Sequence, residues 1–87
     1  MLIIVRTNEF KKRFKVLALK IQAKTEERLA IFLRNPFDAV LNNHPLHGEY
    51  SGCRSINISG DIRIVYTDIG DSKILLLNIG THPQLNE

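Results

Sequence analysis

The amino-acid sequence predicts an α+β fold in which a short N-terminal strand and a helical hairpin pack on a small antiparallel β-sheet. Two observations predict this fold. Apolar residues recur with helical spacing in residues 8–34, whereas alternating and β-branched segments are confined to residues 54–81. With 87 residues the chain has room for one hydrophobic core, so both halves must contribute to it.

The first predicted element is a strand followed by a helix. Residues 2–6 are mostly apolar and β-branched, which predicts a short strand buried on both faces. Thr7 or Asn8 then begins a helix, because either side chain accepts a hydrogen bond from an unpaired N–H of the first turn. One apolar helical face follows, formed by Phe10, Phe14, Leu17 and Ile21.

The helical region is predicted to be a hairpin. No Gly or Pro interrupts residues 8–34, and a single helix of that length would extend about 40 Å at 1.5 Å per residue. The rest of so small a domain cannot pack along the whole length of such a helix. Two helices are therefore predicted, with a turn near residues 18–24. Asn35 ends the second helix, because the residue before a proline is disfavoured in the α region.

The C-terminal part of the chain contains three predicted strands. Residues 36–52 are predicted to be a loop, with the strongest turn signal at residues 42–45. The strands that follow are residues 54–58, 62–66 and 73–81. Short turns at residues 59–61 and 70–72 separate them, and short turns require antiparallel neighbours.

Strand alternation predicts which side chains of the last strand share a face. In residues 73–81, Leu75 and Leu77 lie on the face opposite to Asn78. If these leucines face the helices, then Asn78 and the nearby His82 face outward.

An outward-facing polar surface would then combine Arg63, Asn78 and His82 with His44 from the loop. A histidine carries protons near neutral pH, and an arginine stabilises the negative charge of a phosphate. An ordinary surface position is the alternative for each histidine, since the sequence has no Gly-rich phosphate loop, His-x-Glu metal spacing or nucleophile elbow. The residues alone therefore predict an acid–base face and no particular reaction.

Charge is distributed unevenly along the chain. Residues 1–34 contain nine of the twelve Lys and Arg residues and three of the nine acidic residues. Residues 35–87 contain the other three basic residues and the other six acidic residues. This asymmetry favours a polyanion or an acidic partner on one side of the molecule. On charge alone, the favoured interpretation is that the lysines form the solvated face of amphipathic helices.

Cysteine content and hydropathy indicate the compartment. Cys53 is the single cysteine, so it forms no intramolecular disulfide and cannot build a zinc site alone. The apolar start of the chain is too short to span a bilayer or to form the core of a signal peptide. The sequence therefore predicts a cytoplasmic protein without a membrane partner.

Four short motifs in the C-terminal half follow one another in a specific order and spacing. They are His-Pro-Leu at 44–46, Gly-x-Arg at 52–54, Gly-Asp-x-Arg-Ile-x-Tyr at 60–66 and Gly-Thr-His at 80–82. With them the chain resembles the RelE/ParE superfamily of type II toxin–antitoxin modules, and in particular the YafQ-like mRNA interferases. The N-terminal half agrees more loosely, so the resemblance predicts one RelE-like toxin domain over residues 1–87, with a twisted antiparallel sheet.

The resemblance implies a reaction and a set of residues. YafQ-like toxins cleave mRNA in the ribosomal A site without a metal or other cofactor, by attack of a ribose 2′-hydroxyl on the adjacent phosphate. His44, Asp61 and His82 match acid–base positions of this group. Arg63 matches an arginine that stabilises the phosphate in RelE-like members, and Arg54 matches a structural arginine.

The resemblance also implies partners. The basic helices of the family bind ribosomal RNA, which assigns RNA binding to six residues, Lys11, Lys12, Arg13, Lys15, Lys20 and Lys24. It further implies a cognate antitoxin that folds on binding, with the toxin monomeric inside a hetero-oligomer.

The sequence departs from the YafQ-like pattern at five positions. Asn57 stands in place of a histidine, Asn78 in place of an arginine, and Asn86 where many relatives end in an aromatic residue. Ile62 replaces an aromatic residue, and Cys53 replaces a common tyrosine in what would be a change of the core. Two alternative functions are therefore kept beside the interferase. One is a ParE-like toxin that inhibits a topoisomerase without catalysis, and the other is a degenerate toxin that retains only antitoxin binding.

Overall fold

The computed structural model describes residues 1–85, so Asn86 lies outside the described residues. Within them the chain forms five strands, three helices and two single 3₁₀ turns. The strands are β1 (Ile3–Arg6), β2 (His44–Pro45), β3 (Arg54–Ser59), β4 (Ile62–Gly70) and β5 (Lys73–Gly80). The helices are α1 (Asn8–Lys15), α2 (Leu19–Arg34) and α3 (His82–Leu85), and the 3₁₀ turns span Ala39–Leu41 and Gly48–Tyr50. None of the helices in this part of the chain is long and apolar enough to cross a bilayer.

The five strands form one sheet in the order β1-β5-β4-β3-β2. The antiparallel pairing predicted for the C-terminal strands is confirmed, and β2 joins them antiparallel to β3. β1 pairs with β5 in parallel, which makes the sheet mixed. A parallel pair requires a long connection, and the chain between β1 and β5 supplies it with the helical hairpin and the other three strands.

β1 lies at the edge of this sheet, and the prediction that it is buried on both faces is wrong. Ile3 is 52% exposed and Val5 is 38% exposed. Edge strands and interior strands can both have a β-branched apolar sequence, so the pattern does not distinguish them. β5 instead lies in the interior of the sheet, where it separates β1 from β4.

The two predicted helices are present, but the turn between them lies at residues 16–18 instead of 18–24. Gln22 explains the earlier break. Its side-chain Nε2 donates hydrogen bonds to the carbonyl oxygens of Lys15, at 3.3 Å, and Leu17, at 3.0 Å. These carbonyls belong to the end of α1, where backbone acceptors have no partner within the helix. The predicted end of the second helix at Asn35 is confirmed, with extended backbone at φ −155°.

Thr7, rather than Asn8, caps α1 and also joins the helix to the sheet. Its Oγ1 accepts a hydrogen bond from the backbone N–H of Phe10 at 3.0 Å, as expected of an N-cap. The same hydroxyl donates to the carbonyl oxygen of Leu77 in β5 at 2.8 Å. One side chain therefore fixes the start of α1 against β5.

The main hydrophobic core lies between the helices and one face of the sheet. It contains Phe10, Phe32, Leu41, Ile56, Ile58, Ile64, Tyr66, Ile74, Leu76 and Ile79. A smaller apolar cluster of Leu46, Val65 and Leu85 lies on the opposite face, where α3 packs. We call this opposite face the outer face, because α1 and α2 do not cover it.

A β-bulge in β5 changes the predicted faces. Tyr66 pairs with Leu76 and Val65 pairs with Asn78, so Leu77 is an extra residue in β5. Before the bulge, Leu76 faces the helices, and after it Asn78 lies beside Val65 on the outer face. The prediction that Leu75 and Leu77 face the helices is wrong, because strict alternation was assumed through the bulge. The outward position predicted for Asn78 is confirmed.

Candidate active site

The hairpin between β3 and β4 positions two of the predicted site residues. Gly60 turns the chain with a left-handed φ of +52°, and Asp61 follows it at the tip. Arg63 lies on the outer face, opposite Asn57 of β3 and Gly80 of β5. Arg63 Nη2 and Asp61 Oδ1 are 3.3 Å apart, so the guanidinium and the carboxylate form an ion pair at the surface.

The first turn of α3 positions His82. Thr81 and Gln84 cap this turn reciprocally: the Thr81 N–H donates to Gln84 Oε1 at 2.9 Å, and the Gln84 N–H donates to Thr81 Oγ1 at 3.3 Å. This is a capping box built from the sequence Thr-His-Pro-Gln. It holds His82 in the first turn, directly after β5.

Asp61 connects this turn to the hairpin. The backbone N–H of His82 donates a hydrogen bond to Asp61 Oδ2 at 3.2 Å. The other carboxylate oxygen lies 3.9 Å from His82 Nδ1, within ion-pair distance when the imidazole is protonated. Asp61, Arg63 and His82 therefore form one cluster, with the carboxylate in the middle.

Gly80 allows α3 to lie close to the end of β5. A Cβ at this position would lie 2.7 Å from Gln84 Oε1 and 3.4 Å from Nη1 of Arg13. The first distance is shorter than a Cβ contact permits, so any other residue would displace the capping side chain.

His44 reaches the outer face from the opposite edge of the sheet. It lies in β2 and pairs with Ser55 of β3, rather than in a free turn. Its Nδ1 is 2.8 Å from the carbonyl oxygen of Asn42, whose left-handed backbone has φ +46°. A carbonyl oxygen only accepts, so Nδ1 carries the proton and Nε2 is the acceptor nitrogen of the neutral ring.

Two surface cavities meet at His44. The larger cavity, of about 540 Å³, is lined by His44, His82 and the loop of residues 45–50. The smaller cavity, of about 130 Å³, is lined by Asn42, His44, Ser55, Asn57, Gly60 and Arg63. All four predicted site residues thus lie on the outer face, three of them in direct contact and His44 beside them across the cavities.

Ser55 was missed by the sequence analysis, and Asn57 was noted there only as a departure. Ser55 is 1% exposed, and both side chains line the smaller cavity. The alternation in residues 54–58 does carry a signal for them. Both residues alternate with the core isoleucines Ile56 and Ile58 of β3, so they share the outer face with Arg63.

The six basic residues assigned to RNA binding lie on α1 and α2. Lys11, Lys12, Lys15 and Lys20 are exposed. Arg13 forms an ion pair with Glu9 at 3.4 Å, and Lys24 forms one with Glu27 at 3.5 Å. Through its position near Gly80, Arg13 is the member of this set that comes near the candidate site.

Arg54 and the possible metal ligands complete the description of the site. Arg54 Nε donates to Asn43 Oδ1 at 2.7 Å, and its guanidinium lies 5.2 Å from the centre of the Phe37 ring. These contacts join β3 to the loop before β2, in keeping with a structural role. In residues 1–85 no three His, Cys, Asp or Glu side chains lie close enough together to bind one metal ion.

The fold indicates the class of protein. A helical hairpin on one side of a five-stranded mixed sheet is the fold of YafQ and RelE-like toxins. The family model described as "Bacterial toxin of type II toxin-antitoxin system, YafQ" matches residues 2–87. The chain therefore belongs to the YafQ family of type II toxins.

Solved structures with the same fold agree with this assignment. YafQ from E. coli strain BL21(DE3) superposes with a TM-score of 0.80, at 24% identity over 100% of both chains. A copper-bound mutant toxin from Helicobacter pylori gives 0.72 at 26% identity, over 98% of this chain and 99% of that one. The E. coli DinJ–YafQ toxin–antitoxin complex gives 0.77 at 24% identity, over 99% and 98%. No curated protein sequence matches the chain.

Proposed function

We propose that this toxin is an endoribonuclease that cleaves mRNA in the ribosomal A site of the bacterial cytoplasm. The cluster of Asp61, Arg63 and His82, with His44 on the same face, is the observation that supports this function. It provides two imidazoles and a cation on one open surface, which a strand of RNA can reach.

The reaction is attack of a ribose 2′-hydroxyl on the adjacent phosphate. A base takes the hydroxyl proton as the bond between O2′ and phosphorus forms. The bond from phosphorus to O5′ breaks, and an acid gives O5′ a proton. The products are a 2′,3′-cyclic phosphate and a 5′-hydroxyl end. Arg63 stabilises the charge that develops on the phosphorane.

The contacts of the two histidines suggest their roles. The Nδ1–H of His44 is directed to Asn42, which leaves Nε2 to accept a proton, so we assign His44 as the base. His82 Nδ1 lies 3.9 Å from the Asp61 carboxylate, which can orient the ring, so we assign His82 as the acid. Asp61 is then a positioning residue that holds Arg63 and His82 together.

Partners of the toxin follow from its charge and from its relatives. We assign contact with ribosomal RNA to the basic residues of α1 and α2, because exposed lysines bind phosphates without sequence preference. The relatives include a DinJ–YafQ toxin–antitoxin complex. We propose that this chain likewise binds a cognate antitoxin, as a monomer within a hetero-oligomer, and that co-expression of that antitoxin restores growth.

The first experiment is induced expression in a bacterial host, with primer extension on a highly translated mRNA. The wild type is compared with Arg63→Ala/His82→Ala, and with Lys73→Ala as a control for loss of one exposed positive charge at the other end of β5. We expect discrete new 5′ ends that depend on translation in the wild type and the control but are absent in the double variant. Growth arrest without cuts would indicate a topoisomerase inhibitor instead. A folded protein that causes neither growth arrest nor mRNA cleavage would indicate a degenerate toxin.

A further inference from the structure

Two side chains that line the smaller cavity carry polar atoms whose bonding capacity is unused. Neither Ser55 Oγ nor Asn57 Oδ1 has a hydrogen-bond partner within residues 1–85, and both atoms are shielded from solvent. Buried polar atoms are almost always paired in folded proteins. Here both side chains line one cavity together with Arg63 and His44. The unpaired atoms therefore point to a ligand that supplies the missing partners.

The chemistry of the lining restricts what this ligand is. Asn57 Oδ1 only accepts, so the ligand must donate a hydrogen bond there, whereas Ser55 Oγ both donates and accepts. A bare anion would leave the Asn57 oxygen unpaired, and an apolar group would leave both atoms unpaired. A hydroxyl group satisfies both, and Arg63 beside it favours a phosphate next to that hydroxyl.

A ribonucleotide presents these two groups side by side, as its 2′-hydroxyl and its 3′-phosphate. The cavity of about 130 Å³ exceeds several-fold the roughly 30 Å³ that one water occupies in the liquid, so a hydroxyl and phosphate oxygens fit together. The 2′-hydroxyl is also the group by which proteins distinguish RNA from DNA.

We propose that the smaller cavity binds the 2′-hydroxyl of the nucleotide on the 5′ side of the scissile phosphate, through Asn57 and Ser55. This proposal rests on the proposed endoribonuclease function and adds two residues to it. The hydroxyl donates to Asn57 Oδ1 and accepts from Ser55 Oγ, while Arg63 holds the adjacent phosphate. Rotation about the C2′–O2′ bond then redirects the single hydroxyl proton to His44, and Ser55 still donates to the oxygen as it becomes negative.

Asn57 therefore has a function of its own at the position where the YafQ-like pattern has a histidine. An amide oxygen orients the nucleophile without taking its proton. His44 then remains the base at this cavity, and preference for ribose over deoxyribose depends on Asn57.

The test compares binding of two mRNAs on programmed ribosomes. One is all-ribose, and the other has a single 2′-deoxy nucleotide on the 5′ side of the cleavage site mapped by primer extension. A His82→Ala background prevents cleavage of the first mRNA and keeps the backbone N–H that Asp61 accepts. We expect this protein to bind the all-ribose complex about three- to tenfold more tightly, the range for a neutral hydrogen bond.

Variants of the cavity then assign the preference to its lining. In the same background, Asn57→Leu removes the acceptor at similar volume and should reduce the preference for ribose without weakening binding of the 2′-deoxy complex. Ser55→Ala should reduce the preference as well. Asn8→Leu, the same substitution at an exposed asparagine at the start of α1, should leave it unchanged.

Equal binding of the two mRNAs by the His82→Ala protein would overturn the proposal without any cavity variant, so misfolding of Asn57→Leu cannot obscure the result. A preference that is undiminished in folded Asn57→Leu would also overturn it. In both cases cleavage by the wild type would leave the endoribonuclease function standing. Absence of cleavage by the wild type would instead reject that function, and this proposal with it.

Discussion

The carboxylate of Asp61 and the first turn of α3 are joined at His82 by two contacts of different kinds. One Asp61 oxygen accepts the backbone N–H of His82 at 3.2 Å, and the other lies 3.9 Å from the imidazole Nδ1. The first contact fixes the backbone, and the second acts only when the ring is charged. Because Asp61 also pairs with Arg63, it couples the two residues to which we assign the acid and the phosphate contact.

Asp61 variants separate these contacts. Asp61→Asn keeps an oxygen for the His82 N–H but loses the charge, so we expect cleavage on programmed ribosomes to fall roughly 10- to 100-fold, less than on loss of an acid–base group outright. Stability should change by less than about 1 kcal/mol, because the ion pair is exposed. Asp61→Ala should cost more stability. Equal unfolding free energies for the two variants in urea would contradict the backbone role.

Variants of Arg63 separate the contribution of its positive charge from that of its planar guanidinium group. Its side chain is 17% exposed, so a variant loses both packing and the planar guanidinium fork. We expect Arg63→Ala to lower single-turnover cleavage by about 10²- to 10³-fold. Arg63→Lys should recover only part of this loss, because an ammonium makes no bidentate contact with phosphate. Full activity of Arg63→Lys would show that a point charge is sufficient.

Gly80 is expected to tolerate no side chain while Gln84 caps α3. Gly80→Ala would push the Gln84 side chain from the Thr81 N–H, which should cost about 1 kcal/mol for the lost cap. Gln84→Ala alone should cost a similar amount. The double variant should then cost clearly less than the sum, because the clash and the cap involve the same atoms. Additive costs in urea unfolding would reject this explanation.

The lysines of α1 are expected to act through charge alone. Removal of Lys11, Lys12 and Lys15 together should weaken ribosome binding and flatten its dependence on salt. Each lost phosphate contact reduces the slope of log K against log salt by up to about 0.9. The positions of the mRNA cuts should not change, since phosphate contacts carry no sequence information. Lys73→Ala is the control, and an equal effect there would mean that net charge, not this surface, determines binding.

Periodicity was sufficient to predict most of the fold, and it failed where distant residues decide local structure. The hairpin turn was placed too late because its stabilising side chain, Gln22, lies beyond it in the sequence. The faces of β5 were reversed before Leu77 because a bulge leaves no mark in the residue pattern. β1 was expected to be buried because strand order is not encoded in the composition of one strand.

The sequence was enough to propose residues for the candidate site, whose catalytic roles stay predictions, but not to predict the contacts among them. His44, Asp61, Arg63 and His82 were named from short motifs, and the structure places all four on the outer face. The central place of Asp61 depends on the capping of α3, a contact across 21 positions. The unpaired atoms of Ser55 and Asn57 become visible only once β2 and β4 lie on either side of β3.

The position of β5 between β1 and β4 has a consequence for biosynthesis. The first strand of the chain and the cap of its first helix both need β5, with the Thr7 hydroxyl bonded to Leu77 seventy positions later. Pairing over such separations is slow and occurs late in folding. A nascent chain therefore cannot complete its core until nearly all of it has left the ribosome. Chains that stop before β5 lack both this strand and His82, so they cannot form the Asp61–His82 contact.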